Sequence, residues 1–167
     1  KLNTPAPWVN YLGSPEYGAI ISHNAGGYSF VKSGAKGRIL RYKFNDNDTP
    51  GRYIYIRDDD SEDFWSATWQ PVGKGEDYKG SCRHGLGYTT IESEYAEIES
   101  KTTYYVPLKK TYEVWRHIIK NNSTRERNIS IFGYAEFTNT SDYEQATVNL
   151  QYSHSISRTS YENNTTI

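Results

Sequence analysis

Two stretches decide the fold: Arg52-Tyr53-Ile54-Tyr55-Ile56-Arg57 and Asn128-Ile129-Ser130-Ile131-Phe132-Gly133-Tyr134. Both alternate with period two. Successive side chains on an extended chain point to opposite faces, so each stretch reads as a strand. Thr102-Thr103-Tyr104-Tyr105-Val106 adds a β-branched and aromatic run of the same kind. Turn-forming residues separate these runs: Gly26-Gly27, the glycines at 34 and 37, Asn45-Asp46-Asn47-Asp48-Thr49-Pro50-Gly51, Asp58-Asp59-Asp60, the glycines at 73 and 75, and Asn121-Asn122-Ser123. Strands are expected near Ala19, Tyr28, Arg38, Arg52, Phe64, Gly87, Lys101, Tyr112, Arg127 and Thr147, at a spacing of roughly 8–12 residues. That spacing predicts an all-β, antiparallel sandwich or barrel with little or no helix. Pro15-Glu16-Tyr17 opens one short turn at most.

Composition sets the outer bounds. At 167 residues, 35% hydrophobic and 15% aromatic, the chain has material for one core, and residues 1–167 are read as one domain or a piece of a larger protein. The 19 basic and 20 acidic residues nearly cancel, which removes any electrostatic reason to expect nucleic acid or an anionic membrane. Cys82 is the single cysteine, so no internal disulfide forms and a reducing compartment is expected. Apolar runs such as Ala19-Ile20-Ile21 fall far short of the roughly 20 residues of a membrane span, and residues 1–13 lack the apolar centre of a signal peptide. The expectation is a soluble, cytoplasmic protein. Methionine is absent and the sequence stops at Asn163-Asn164-Thr165-Thr166-Ile167, which reads as a fragment. Sixteen tyrosines and four tryptophans accompany a mean hydropathy of -0.84, so much of the core has to be built from amphipathic rings.

Most chemistry-bearing clusters read as ordinary structure. Asp58-Asp59-Asp60-Ser61-Glu62-Asp63 lacks the loop glycine and distant glutamate of a calcium loop and reads as a solvated hairpin turn, so no metal is assigned. His23, His84, His117 and His154 have no zinc-ligand spacing. Cys82 and His84 lack an orienting third group, so they read as a buried thiol near a structural histidine. Asn24-Ala25-Gly26-Gly27-Tyr28 reads as a tight turn, not a phosphate loop. The asparagine-x-serine/threonine triplets at 47, 121, 122, 128, 139, 163 and 164 read as turn chemistry. Trp65, Trp69, Tyr104 and Tyr105 fit either a sheet core or a platform for a sugar ring, and composition leaves both open.

Pro7-Trp8-Val9-Asn10-Tyr11-Leu12-Gly13, followed by Ile21-Ser22-His23-Asn24-Ala25-Gly26-Gly27-Tyr28-Ser29-Phe30, resembles the opening of glycoside hydrolase family 94, the cellobiose and chitobiose phosphorylases. Arg38-x-x-Arg41-Tyr42, Gly51-Arg52-Tyr53-Ile54-Tyr55, Asp63-Phe64-Trp65-Ser66 with Trp69, Arg83-His84-Gly85-Leu86-Gly87-Tyr88 and Val106-Pro107-Leu108 continue the likeness in order. Asp58-Asp59-Asp60-Ser61 resembles the chitobiose and cellobionate type members more than cellobiose phosphorylase. The resemblance implies the N-terminal super-sandwich of a cytoplasmic, homodimeric enzyme whose (α/α)6 barrel lies outside this chain. It implies inverting phosphorolysis of a β-linked disaccharide to an α-sugar 1-phosphate and a monosaccharide. Inorganic phosphate is the nucleophile and co-substrate, no cofactor is needed, and the catalytic acid sits on the barrel, leaving no catalytic residue here.

The same resemblance carries an Asn-x-Gln-Arg sugar-contacting motif onto Asn149-Leu150-Gln151-Tyr152. Asn149 and Gln151 match, while Tyr152 replaces the arginine and exchanges a planar cation for a phenol, which implies a different sugar preference. Two other readings are a free-standing carbohydrate-binding module and a purely structural dimerisation domain.

Overall fold

A computed structural model describes residues 2–41, 50–138, 148, 160–162 and 165–166. All regular elements among them are strands: β1 (Val9–Gly13), β2 (Tyr17–Ser22), β3 (Gly27–Val31), β4 (Arg52–Asp58), β5 (Phe64–Ser66), β6 (Lys79–Gly85), β7 (Tyr88–Tyr95), β8 (Ile98–Tyr105), β9 (Val114–Asn121), β10 (Ile129–Ala135), β11 (Tyr161–Glu162) and β12 (Thr165–Thr166). Every pairing is antiparallel. β1-β2-β3 and β6-β7-β8-β9 are meanders, β4 lies between β10 and β5, and β11 pairs with β12. The expected all-β sandwich is the observed architecture.

The period-two runs fall where alternation placed them. Tyr53 joins one core cluster, with Leu12, Tyr17, Ile21, Ile91 and Tyr104, while its neighbours Ile54 and Ile56 join a second with Trp65, Tyr78 and Ile98. β4 is therefore covered on both faces. The β7–β8 hairpin turns through Ala96 and Glu97, both left-handed at φ 51° and 63°, a pairing of positive angles that suits the right-handed strand twist. Gly27 at φ 124° starts β3 where a Cβ would lie 2.1 Å from the Ile20 carbonyl oxygen, so only glycine fits.

The differences are informative. The expected strand at Arg38 is a single bridge to Phe30. β1 and β6 carried no legible signal: β1 buries only Leu12, and Lys-Gly-Ser-Cys-Arg-His-Gly of β6 has no apolar alternation because it is an edge strand held by its ladder to β7. The Thr147 candidate lies outside the described residues.

Candidate functional site

Asn149, Gln151 and Tyr152 lie outside the described residues, as do His154 and the triplets at 47, 139, 163 and 164. Of the four rings that composition left open between core and sugar platform, two are core. Trp65 is 1% exposed and packs 5.2 Å from Tyr95 between ring centres. Tyr104 is equally buried and donates its hydroxyl to the Arg52 carbonyl at 3.2 Å. Trp69 and Tyr105 are half-buried, and the most exposed indole is instead Trp8, at 71%.

Trp8 belongs to an N-terminal arm, residues 2–8, pinned by the β2–β3 turn. The Trp8 N–H donates to His23 Nδ1 at 3.2 Å, and the His23 N–H returns a bond to the Trp8 carbonyl at 2.9 Å. With Nδ1 accepting, Nε2 carries the ring proton and faces the Leu2 carbonyl at 3.1 Å. Asn24 Nδ2 donates to the same carbonyl at 3.3 Å, while Asn24 Oδ1 is buried without a partner. Between this arm and β6–β7 lies a cleft of about 430 Å3 bordered by Trp8, His23, Asn24, Ser81, Cys82 and His84. A second cleft, about 260 Å3, shares Thr4, His23 and Asn24 with the first and reaches Trp69 and Gln70.

A third cleft, about 510 Å3, opens beside β9 and β10 and is walled by Ile39, Leu40, Tyr112, Glu113, Trp115 and Phe137. Below it the Arg52 side chain is fully buried. It donates to Glu113 Oε1 at 2.5 Å, Ser29 Oγ at 2.8 Å and the Ile20 carbonyl at 3.1 Å. Trp115 Nε1 also donates to Glu113 Oε1 at 3.1 Å, leaving Glu113 Oε2 buried and unpartnered. A planar fork with five donors suits this position, since it bridges a hydroxyl of β3, a carbonyl of β2 and the carboxylate just before β9.

The ionisable groups are poised for structure. Burial opposes ionisation of Asp58, but the Ser61 hydroxyl, the Arg127 guanidinium at 2.5 Å and the Asp60 N–H outweigh it and hold the carboxyl below its ordinary value. The Asn128 side chain lowers Asp60, Lys74 lowers Asp63, and Lys101 lowers Glu92. Each is the reverse of what a proton donor needs near neutrality. The acidic run is thus only partly the solvated turn expected of it, because Asp58 is 1% exposed and ion-paired. Burial pushes the Cys82 thiol up to about 11, so the thiolate, its nucleophilic form, is scarce. Cys82 Sγ lies 3.8 Å from His84 Nε2, and His84 Nδ1 meets Thr89 Oγ1 at 3.0 Å. Desolvation lowers the His84 imidazole below its ordinary value. No group of three or more metal-ligating side chains occurs among the described residues.

Residues 1–167 match the family model described as glycosyl hydrolase 94, supersandwich domain. The chain belongs to this family. The supersandwich domain is 44% identical over 138 residues to the N,N'-diacetylchitobiose phosphorylase of Vibrio proteolyticus, covering 81% of this chain and 17% of that protein. It is 46% identical over 138 residues to that of Vibrio furnissii, with the same coverage, 81% and 17%. It is 32% identical over 143 residues to the solabiose phosphorylase of Paenibacillus borealis, covering 81% and 18%. The chain thus spans about a sixth of the length of these curated relatives.

Sequence reasoning missed two features of the supersandwich domain. The Arg52–Glu113 pair joins residues 61 apart, and no local pattern links them. The tight turn at 24–28 was legible, but the grip of His23 and Asn24 on residues 2–8 is a tertiary contact. Asn121 acts as a turn residue, its Nδ2 donating to the Arg125 carbonyl at 2.8 Å, whereas Asn128 Nδ2 makes a tertiary bond to Asp60 Oδ1 at 2.9 Å.

Proposed function

We propose that this supersandwich domain is the N-terminal part of a glycoside phosphorylase that performs inverting phosphorolysis of a β-linked disaccharide. Phosphate attacks the anomeric carbon while a carboxylic acid elsewhere in the whole protein protonates the departing glycosidic oxygen, yielding an α-sugar 1-phosphate. The observation that carries the reading is the family match over residues 1–167, with diacetylchitobiose phosphorylases 44% and 46% identical.

Electrostatics support a non-catalytic role for the domain. The described carboxylates whose proton affinity departs from the ordinary value, Asp58, Asp60, Asp63 and Glu92, are all shifted down. They stay ionised where a general acid must hold its proton. The domain's contribution in this reading is to shape the sugar site through Asn149, Gln151 and Tyr152 and to support a homodimer. The barrel supplies the acid, phosphate is the only co-substrate, no further cofactor takes part, and the protein works in the cytoplasm.

Phosphate-dependent release of sugar 1-phosphate by the whole protein, assayed across diacetylchitobiose, cellobiose, cellobionate and laminaribiose, tests this. Release from one of them supports the reading; hydrolysis without phosphate, or no turnover of any, overturns it. Asn149→Ala and Gln151→Ala should each lower kcat/KM by roughly 5- to 150-fold, the equivalent of one hydroxyl left unpaired.

A further inference from the structure

The outer face of the four-stranded sheet changes character halfway along its strands. Residues directly opposite one another in a ladder share a face, so the register lays that face out in rows. Toward the Ala96–Glu97 turn, one row is Lys79, Glu94, Glu99 and Lys120, and the next is Ser81, Glu92, Lys101 and Ile118. Their charges pair off, Lys79 with Glu94, Lys101 with Glu92 and Lys120 with Glu99. Toward the other end, one row is Arg83, Thr90, Thr103 and Arg116, and the last is Gly85, Tyr88, Tyr105 and Val114. None of these eight positions is acidic.

This second half is built unlike a solvated surface. Arg83 and Arg116 are exposed, and neither forms an ion pair among the described residues; Glu92, which feels the Arg83 charge, is bonded to Lys101 at 2.6 Å. Between the arginines the Thr90 and Thr103 hydroxyls bond each other at 3.2 Å. The Tyr88 ring lies across Gly85, where a Cβ would come within 2.4 Å of it, and stays 42% exposed. At the same end Leu86, on the β6–β7 turn, is 102% exposed, and Leu108, on the connection after β8, is 86% exposed. Arginine and tyrosine in place of lysine and glutamate is the composition of an interface centre, and two bare leucines beside them extend an apolar patch of the kind that marks interaction sites.

Charge and length select the partner. Arg83, Arg116 and the exposed Lys109 and Lys110 attract carboxylates, and the two arginines stand three strand spacings apart, about 14 Å. Laid against a second copy about a two-fold axis, this half-face would bring cations without a carboxylate to answer them, so it does not fit itself. The chain spans about a sixth of the length of its relatives, and on the phosphorylase reading, on which this step rests, most of the whole protein lies outside residues 1–167. We infer that the Arg83–Arg116 half of the sheet face is the docking surface for that remaining polypeptide. The partner surface is apolar at its centre and carries two carboxylates about 14 Å apart, one for each arginine.

Thiol labelling of the whole protein tests this. Leu86→Cys and Leu108→Cys each put a reporter where the described residues leave the chain bare. Each thiol should react with a maleimide at least about tenfold more slowly in the native whole protein than in urea, at every protein concentration, and Arg83→Glu or Arg116→Glu should restore at least about fivefold of the rate at position 86. Two reporter positions keep the test decisive where one substitution itself loosens the docking. A carbodiimide cross-link from Lys109 or Lys110 should lead to a carboxylate beyond residue 167. Equal native and urea rates, protection lost on dilution as a second copy would give, protection indifferent to both arginine reversals, or cross-links only within residues 1–167 would each overturn the proposal. Phosphorolysis is scored on the same preparations: turnover with free labelling sinks the docking surface alone, and protection without turnover sinks the phosphorylase reading alone.

Discussion

The β7–β8 pair and the β9–β10 pair invert the usual relation between polarity and burial. β7 and β8 bury Thr89, Ser93, Ser100 and Thr102, each at most 6% exposed. β9 and β10 are richer in apolar residues, yet Ile118, Ile131, Phe132 and Tyr134 are 41–53% exposed. Place in the sheet explains the difference. β7 and β8 have a partner on either side, whereas β9 and β10 each have one partner among the described residues. The buried hydroxyls are tolerated because they are paired: Ser93 Oγ donates to the Ala67 carbonyl at 2.9 Å and meets Ser100 Oγ at 2.8 Å, and Thr102 Oγ1 meets His117 Nδ1 at 2.8 Å. Covered polar pairs and uncovered apolar rows thus occupy neighbouring strands of one molecule.

The sharpest way to break this contrast is at Arg52, where the covered core meets the third cleft. Arg52→Leu strands the Glu113 carboxylate, whose side chain is 10% exposed, and should destabilise the fold by about 3–5 kcal/mol in urea unfolding. The double variant with Glu113→Leu should recover most of that loss. A single variant costing under about 1 kcal/mol would show that water reaches the pair. Next in size, Ser93→Ala leaves Ser100 and the Ala67 carbonyl short of a partner and should cost about 1–3 kcal/mol on the covered side.

A pH titration separates the sides differently. Burial lowers His117 from 6.5 to about 4, so between these values the unfolded chain binds a proton that the folded chain refuses. Stability is fully present above about 6.5 and falls as pH drops toward 4, and His117→Gln should flatten that slope in a melting-temperature series. A slope unaltered by the substitution would assign the effect to other groups. The smallest effect is expected at Phe132, 53% exposed: Phe132→Ser should change the stability of the 167-residue chain by no more than about 0.5 kcal/mol. A loss above about 2 kcal/mol would mean that this row is covered in solution.

Alternation made β4 and β10 legible, because the period of two is a local property of the backbone, and a β-branched and aromatic run marked β8. It did not say which face of β10 would find a cover, since that depends on sheet order, which local sequence does not encode. Trp65 and Tyr104 could not be told from sugar platforms for the same reason. β6 is defined by the ladder that β7 offers it and by nothing in its own composition. In the first cleft Cys82 is half-buried and His84 exposed, where the sequence read a buried thiol near a structural histidine, and the role of Asn24 depends on a carbonyl 22 residues away.

The solvent face of the four-stranded sheet has a consequence for how the chain finds its alignment. Lys79 faces Glu94, Lys101 faces Glu92, and Lys120 faces Glu99, with nitrogen to oxygen distances of 3.3, 2.6 and 3.9 Å. Each exposed pair adds little stability. Their arrangement matters more for the mistakes it forbids. In the native ladder Lys101 lies opposite Ile118, midway between Arg116 and Lys120. Sliding β9 by two residues either way would keep its inner face inward, so packing alone would barely object. Either slide sets Lys101 directly against a like charge, Lys120 in one direction and Arg116 in the other, while the correct alignment gives it an uncharged neighbour. An outer strand with a single partner among the described residues thus has its position proofread by three cations, a check that high salt would blunt.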